Sequence, residues 1–162
     1  MSYLQELIAK HRRGKLIVDT NLLLLYVVGT HDPRRSESFK RTNAFTREDF
    51  GTLLRFTRQF PVLATTPHIL TEVSSFLKQL AEHEQPQYHT TFARVIGHFE
   101  ETYFASKELL QHPVASRLGL TDAGIAALAA SEGLVLTDDL VLSNFLGHVE
   151  ITAINFNHLR YY

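Results

Sequence analysis

The chain has no cysteine, which removes a disulfide framework, a thiolate zinc site and a Cys nucleophile together. The reducing cytoplasm is the compartment that fits. Long apolar runs are missing too. The longest, Leu22 to Val28, falls far short of the roughly 20 residues a spanning helix needs. Met1 to Gly14 mixes polar and apolar residues instead of setting a basic segment before an apolar one, so neither leader nor membrane association is expected. No Gly-x-Ser-x-Gly elbow, Gly-Lys-Ser/Thr phosphate loop or Gly-x-Gly-x-x-Gly turn occurs, which excludes simple hydrolase, NTPase and dinucleotide sites. There is no His-Glu-x-x-His, and the pairs His83/His89 and His11/His31 lack metal spacing, so the nine histidines read as surface or packing residues.

What is present is ordinary in amount and uneven in placement. With 162 residues, 44% apolar and 20% charged, and without repeats or linker-like stretches, the chain is expected to be one domain over residues 1–162. Net charge is −1, but residues 10 to 58 hold eleven Lys and Arg against five acids, and the remainder holds twelve acids against five bases. A basic third beside an acidic remainder suits a protein that grips a polyanion with one part and metal ions with another. Arg12, Arg13, Arg34, Arg35, Lys40 and Arg41 are the candidate polyanion contacts.

Apolar patterning alternates strand and helix. Lys15-Leu-Ile-Val-Asp19 reads as a strand ending on an acid, followed by a helix closed by Gly29. Thr30 to Thr42 reads as a loop, and Thr46-Arg-Glu-Asp49 caps a helix running to about Gln59. Pro61 to Thr65 is a second strand, and Thr66-Pro67 starts a helix that Gln85-Pro86 breaks. Phe92, Val95, Ile96, Phe99, Tyr103 and Phe104 recur at helical steps, a stripe whose exposure would suit a homodimer. A helix from Thr121 to Ser131, a strand from Leu134 to Thr137, a helix from Asp139 to Leu146 and a strand from Val149 to Ile154 complete the chain. This alternation predicts an α/β three-layer sandwich with a central, mostly parallel sheet flanked by helices.

Open parallel sheets bind ligands beyond the carboxyl ends of their strands. Asp19 and Thr137-Asp138-Asp139 close two of the strands there. Glu72 lies one turn into its helix on the flank of the apolar stripe, and Asp122 precedes Ile125 and Ala129 on the inward side of an apolar helix. Each acid also has a plainer role. Asp19 could form an Asx turn, Glu72 complement a helix dipole, Asp122 cap a helix with Thr121, and one of Asp138 and Asp139 act as N-cap. Gathered together, buried carboxylates raise each other's pKa unless a cation neutralises them. An oxygen-only ligand set without Cys or paired His favours Mg²⁺ or Mn²⁺. Thr20, Asn21 and Thr137, beside these ligands in sequence, are expected to orient water or phosphate.

A strand ending Ile-Val-Asp19-Thr-Asn21, a Thr-Pro-His-Ile-Leu-Thr-Glu72-Val helix, a Leu-Thr-Asp122-Ala helix and a Val-Leu-Thr137-Asp138-Asp139 strand end together resemble the PIN-domain nucleases, over about Lys15 to Phe156. The resemblance implies a metal-dependent endoribonuclease in which Asp19, Glu72, Asp122 and Asp139 hold Mg²⁺ or Mn²⁺ for attack of activated water on an RNA phosphodiester. In the family's Thr-x-Asp motif the matching carboxylate is Asp139. Thr137-Asp-Asp-Leu-Val-Leu-Ser-Asn144 also resembles the PIN endonucleases that mature ribosomal RNA, which would make Asp138 an additional ligand and Asn144 a polar contact. Many PIN domains are VapC-type toxins, so an antitoxin protein is an implied partner. The segments Gly29 to Pro61 and Glu72 to Asp122 are longer than in compact toxins of that type. A housekeeping RNA-processing nuclease, or a catalytically silent PIN-like module binding nucleic acid or a partner through Arg34, Arg35, Lys40 and Arg41, are the alternatives.

Overall fold

The computed structural model describes residues 1–161, the side chain of Glu132 excepted. Five parallel strands form one sheet: β1 (Lys15–Val18), β2 (Val62–Thr65), β3 (Phe99–Glu101), β4 (Gly133–Thr137) and β5 (Ala153–Asn155), in the order β3-β2-β1-β4-β5. The interior strands are short apolar runs. Leu16, Ile17 and Val18 are buried, and so is every residue of β4, as expected where helices cover both faces. Lys15 of β1 lies opposite Val62 on one side and Gly133 on the other, so the three central strands end level.

The helices are α1 (Tyr3–His11), α2 (Thr20–His31), α3 (Pro33–Ser38), α4 (Arg47–Thr57), α5 (Pro67–Leu77), α6 (Gln85–Ile96), α7 (Ser106–Leu109), α8 (Pro113–Leu118), α9 (Leu120–Glu132), α10 (Leu140–His148) and α11 (Phe156–Leu159). Parallel crossovers are right-handed. The chain leaves β1 toward β2 and leaves β4 toward β5, opposite directions along the sheet, so the connecting helices cover opposite faces and the molecule has three layers. α2 is apolar on all sides and accordingly central: Leu22, Leu23, Leu24, Leu25, Val27 and Val28 are all fully buried.

Caps set the boundaries. Thr46 and Asp49 form a reciprocal capping box at the start of α4, and Thr66 Oγ1 accepts from Ile69 N at the start of α5. Several expectations are corrected. The supposed loop from Thr30 to Thr42 contains α3, started by the Asp32 cap and Pro33. The helical stripe from Phe92 ends at Ile96, and Phe99 to Glu101 is the edge strand β3, followed by the short α7 and α8. β5 is confined to Ala153–Asn155 instead of starting at Val149. The stripe is not an exposed dimer face either. Val95 is buried, Phe92, Ile96, Phe99 and Phe104 pack against the core, and Tyr103 alone of the six is exposed. No helix among the described residues is long and apolar enough to cross a membrane.

Candidate active site

β1 and β4 are neighbours whose chains depart in opposite directions, and the crevice beyond their carboxyl ends is the switch point of the sheet. A cleft of about 290 Å³ opens there. It is lined by Asp19 and Thr20 from the β1–α2 turn, Glu72 and Phe76 from α5, the Leu118–Asp122 segment joining α8 to α9, and Asp139 ahead of α10. Four acids thus reach one cleft from four separate segments, and no Lys, Arg or His lines it.

Asp19 is the N-cap of α2 and only 7% exposed. Its Oδ1 accepts from Thr20 N at 2.7 Å and its Oδ2 from Thr137 Oγ1 at 2.5 Å. Thr137 Oγ1 in turn accepts from Asp139 N at 2.9 Å, so one hydroxyl fixes both strand-end acids. Asp139 caps α10 through Oδ1, which receives Val141 N and Leu142 N. Glu72, on the exposed flank of α5, accepts from Thr20 Oγ1 at 3.3 Å. Asp122 sits in the first turn of α9, whose N-cap is Gly119 and not Thr121. Gly119 has φ 99° and ψ 176°, a conformation essentially restricted to glycine, and it turns the chain sharply from α8 into α9 at the cleft lip.

Burial raises the Asp19 carboxyl to about 6, against the lowering effect of its bonds to Thr137 and Thr20, with Asp138 and Asp139 adding to the rise. Asp122 is raised to about 7, chiefly by burial and then by the charges of Asp19, Asp139 and Glu72. Asp138 is raised as well, again by burial first. Such a site stores repulsion that a bound cation would relieve. The donors are carboxylate oxygens, a hard set suited to Mg²⁺ or Mn²⁺, with Asp19, Glu72, Asp122 and Asp139 as the residues that would hold the ion. As the side chains stand, no group of three or more His, Asp or Glu among the described residues has the spacing of a formed metal site. One oxygen of each of Asp19 and Asp139, Oδ1, is engaged by its helix cap.

Compared with family models, curated proteins and solved structures, the chain matches none.

Of the other residues singled out in the sequence, Asp138 flanks the cleft without lining it and accepts from Asn21 Nδ2 at 3.4 Å. Thr20 and Asn21 line the cleft, and the side chains of Thr20, Asn21 and Thr137 donate to Glu72, Asp138 and Asp19 respectively. Asn144 is exposed on α10 outside the cleft lining, its carbonyl accepting from His148. The six basic candidates do not share one surface. Arg12 and Arg13 precede β1 at the amino edge of the sheet, the end opposite the cleft, and Arg13 lines a separate cavity with Gly14, Gly133 and Thr152. Arg35 is paired with Glu84 at 2.8 and 3.1 Å. Arg34 and Lys40 are exposed and line no part of the cleft, whereas Arg41 stacks on the cleft residue Phe76. Phe76 and the Leu118-Gly119-Leu120 turn were not anticipated; a glycine directly before the Leu-Thr-Asp122 segment is the one sequence signal that marked the turn.

Proposed function

We propose that the chain is a metal-dependent endoribonuclease that hydrolyses RNA phosphodiester bonds. One observation carries the reading: Asp19, Glu72, Asp122 and Asp139 converge on a single cleft at the switch point of a parallel sheet, with no basic residue to neutralise them. Their order along the chain is the order that resembles the PIN-domain nucleases, and the three-layer parallel architecture is compatible with it. A Mg²⁺ or Mn²⁺ ion, when bound, supplies charge neutralisation at the phosphoryl oxygen and a lowered pKa for water. The protein's part is positional. Thr137 holds Asp19 and the Asp139 backbone in register, Thr20 braces Glu72, and the Gly119 turn delivers Asp122 across the cleft.

The test is cleavage of labelled single-stranded RNA in Mn²⁺, with and without chelator, beside Asp19→Asn. Cleavage is expected with the wild type in Mn²⁺ only, and cleavage that survives chelator or the substitution sinks the reading. A binding readout accompanies it: Mn²⁺ should raise the melting temperature of the wild type and leave Asp19→Asn unmoved.

We further propose a toxin of a bacterial toxin–antitoxin pair as the biological setting, in which a small antitoxin protein would bind the chain. Induction in bacteria is then expected to arrest growth, with relief by Asp139→Asn. Growth unaffected by the wild type would favour a housekeeping RNA-processing enzyme.

A further inference from the structure

A cleft whose charged lining residues are all acids repels a polyanion, so a nucleic-acid strand needs cations at the rim to enter it. Two arginines are carried next to that rim, Arg41 against a wall residue and Arg117 next in the chain to one, and among the described residues neither has a carboxylate partner. Arg41, exposed in the connection between α3 and α4, has its Cζ 4.8 Å from the centroid of the Phe76 ring, and its Nε donates to the neutral Gln79 Oε1 at 2.8 Å. Phe76 is itself a wall of the cleft, one helical turn beyond Glu72. Arg117, exposed in the last turn of α8, has its Cζ 5.4 Å from the Phe145 ring centroid, and its chain neighbour Leu118 lines the cleft from the α8–α9 side.

Other arginines show what these two lack. Arg35, Arg47 and Arg160 are ion-paired with Glu84, Glu37 and Asp49. Among the described residues Arg41 and Arg117 have no carboxylate partner. Aromatic stacking fixes where a guanidinium lies without consuming its charge, and it leaves the terminal N–H groups free to meet a phosphate. At about 290 Å³ the cleft is at the small end of ligand sites.

Resting on the ribonuclease reading above, we propose that Arg41 and Arg117 are a backbone clamp for single-stranded RNA, each holding a phosphate on its own side of the scissile bond. They position the strand and take no part in the chemistry. Of the basic set suggested by charge counting the clamp keeps Arg41 and adds Arg117, whereas Arg12 and Arg13 lie at the far end of the sheet.

The test measures binding of a fluorescein-labelled oligouridine by anisotropy in EDTA, between 0.05 and 0.25 M KCl (on the order of physiological ionic strength). Each of Arg41→Gln and Arg117→Gln is expected to lower the salt slope of log Kd by about 0.7, and to weaken binding about fivefold at 0.1 M salt. The Lys replacements should keep the slope, and Arg12→Gln/Arg13→Gln should leave it as in the wild type. With Mn²⁺ present, the Gln variants should raise KM and spare kcat. If the wild type binds and the Arg41→Gln/Arg117→Gln double variant keeps the full slope, the clamp is wrong and the nuclease reading stands. If the wild type shows no salt-dependent binding at all, the clamp is wrong, and cleavage in Mn²⁺ decides the nuclease reading separately.

Discussion

Asp122 illustrates how a single carboxyl can cost the apo-protein stability while serving its site. Its pKa is raised to about 7, so its favourable contribution to folding is complete below the unfolded value of about 4 and is lost as pH rises through about 7. Asp19, raised to about 6, follows the same sign over a slightly lower window. In chelator at pH 8, Asp122→Asn is therefore expected to be more stable than the wild type, by up to about 2 kcal/mol after allowing for the cleft's access to water, and the difference should vanish below about pH 4. Urea denaturation at the two pH values measures it. The same variant should be inactive in Mn²⁺, and wild-type cleavage should rise with pH as Asp19 and Asp122 ionise.

Among the elements, the α8–α9 turn has the tightest backbone demand. Gly119 combines φ 99° with ψ 176°, yet nothing lies within 4 Å of a Cβ added there. Any cost of Gly119→Ala is thus backbone strain and not a clash, about 1–3 kcal/mol. Because this turn forms one wall of the cleft and is followed by Asp122 as the third residue of the next helix, the variant should lose Mn²⁺-induced stabilisation out of proportion to its fall in melting temperature. A thermal melt with and without Mn²⁺ reads both effects. Gly133 is the opposite case, since a Cβ there would come within 2.6 Å of Ile17 Cδ1 in the packed sheet core.

Across the whole molecule, the C-terminal helix ties distant parts together. Arg160 grips Asp49 through Nε at 3.0 Å and a terminal nitrogen at 2.8 Å, reaches Asn157 Oδ1 at 3.3 Å, and bonds the Ala44 carbonyl at 3.2 Å. Asn157 Nδ2 donates to the Asp138 carbonyl at 3.4 Å, so the grip extends from α4 to the rim of the cleft. Asp49 is 7% exposed, and removing its partner strands a buried carboxylate. Arg160→Ala is expected to cost roughly 2–3 kcal/mol, below the roughly 3–5 of a fully buried pair because Arg160 still touches water, as measured by chemical denaturation. Arg160→Lys should recover only part, since a point charge cannot make the two-pronged contact.

What the chain declares by itself is local: strands that end on Asp19 and on Thr137-Asp138-Asp139, the Thr46–Asp49 and Thr66-Pro67 starts, and an α2 too apolar to lie on a surface. These are legible because capping and periodicity act over a few residues. β3 was hidden because Phe99 continues the helical spacing of the stripe before it, and Phe99 with the exposed Glu100 and Glu101 becomes a strand only by pairing with β2. α3 carried its Asp-Pro start inside a polar stretch that composition alone reads as loop. Tertiary structure decided which acids line the cleft and which cations stand near it. Asp138 and Asp139 are adjacent in sequence, yet only one lines the cleft. Arg41, stacked on the cleft residue Phe76, and Arg117, next to the cleft residue Leu118, lie 76 positions apart in the chain, while Arg12 and Arg13, beside β1 in sequence, are left at the other end of the sheet. Strand order sets those neighbours, and strand order is a property of long-range packing that no short window of sequence contains.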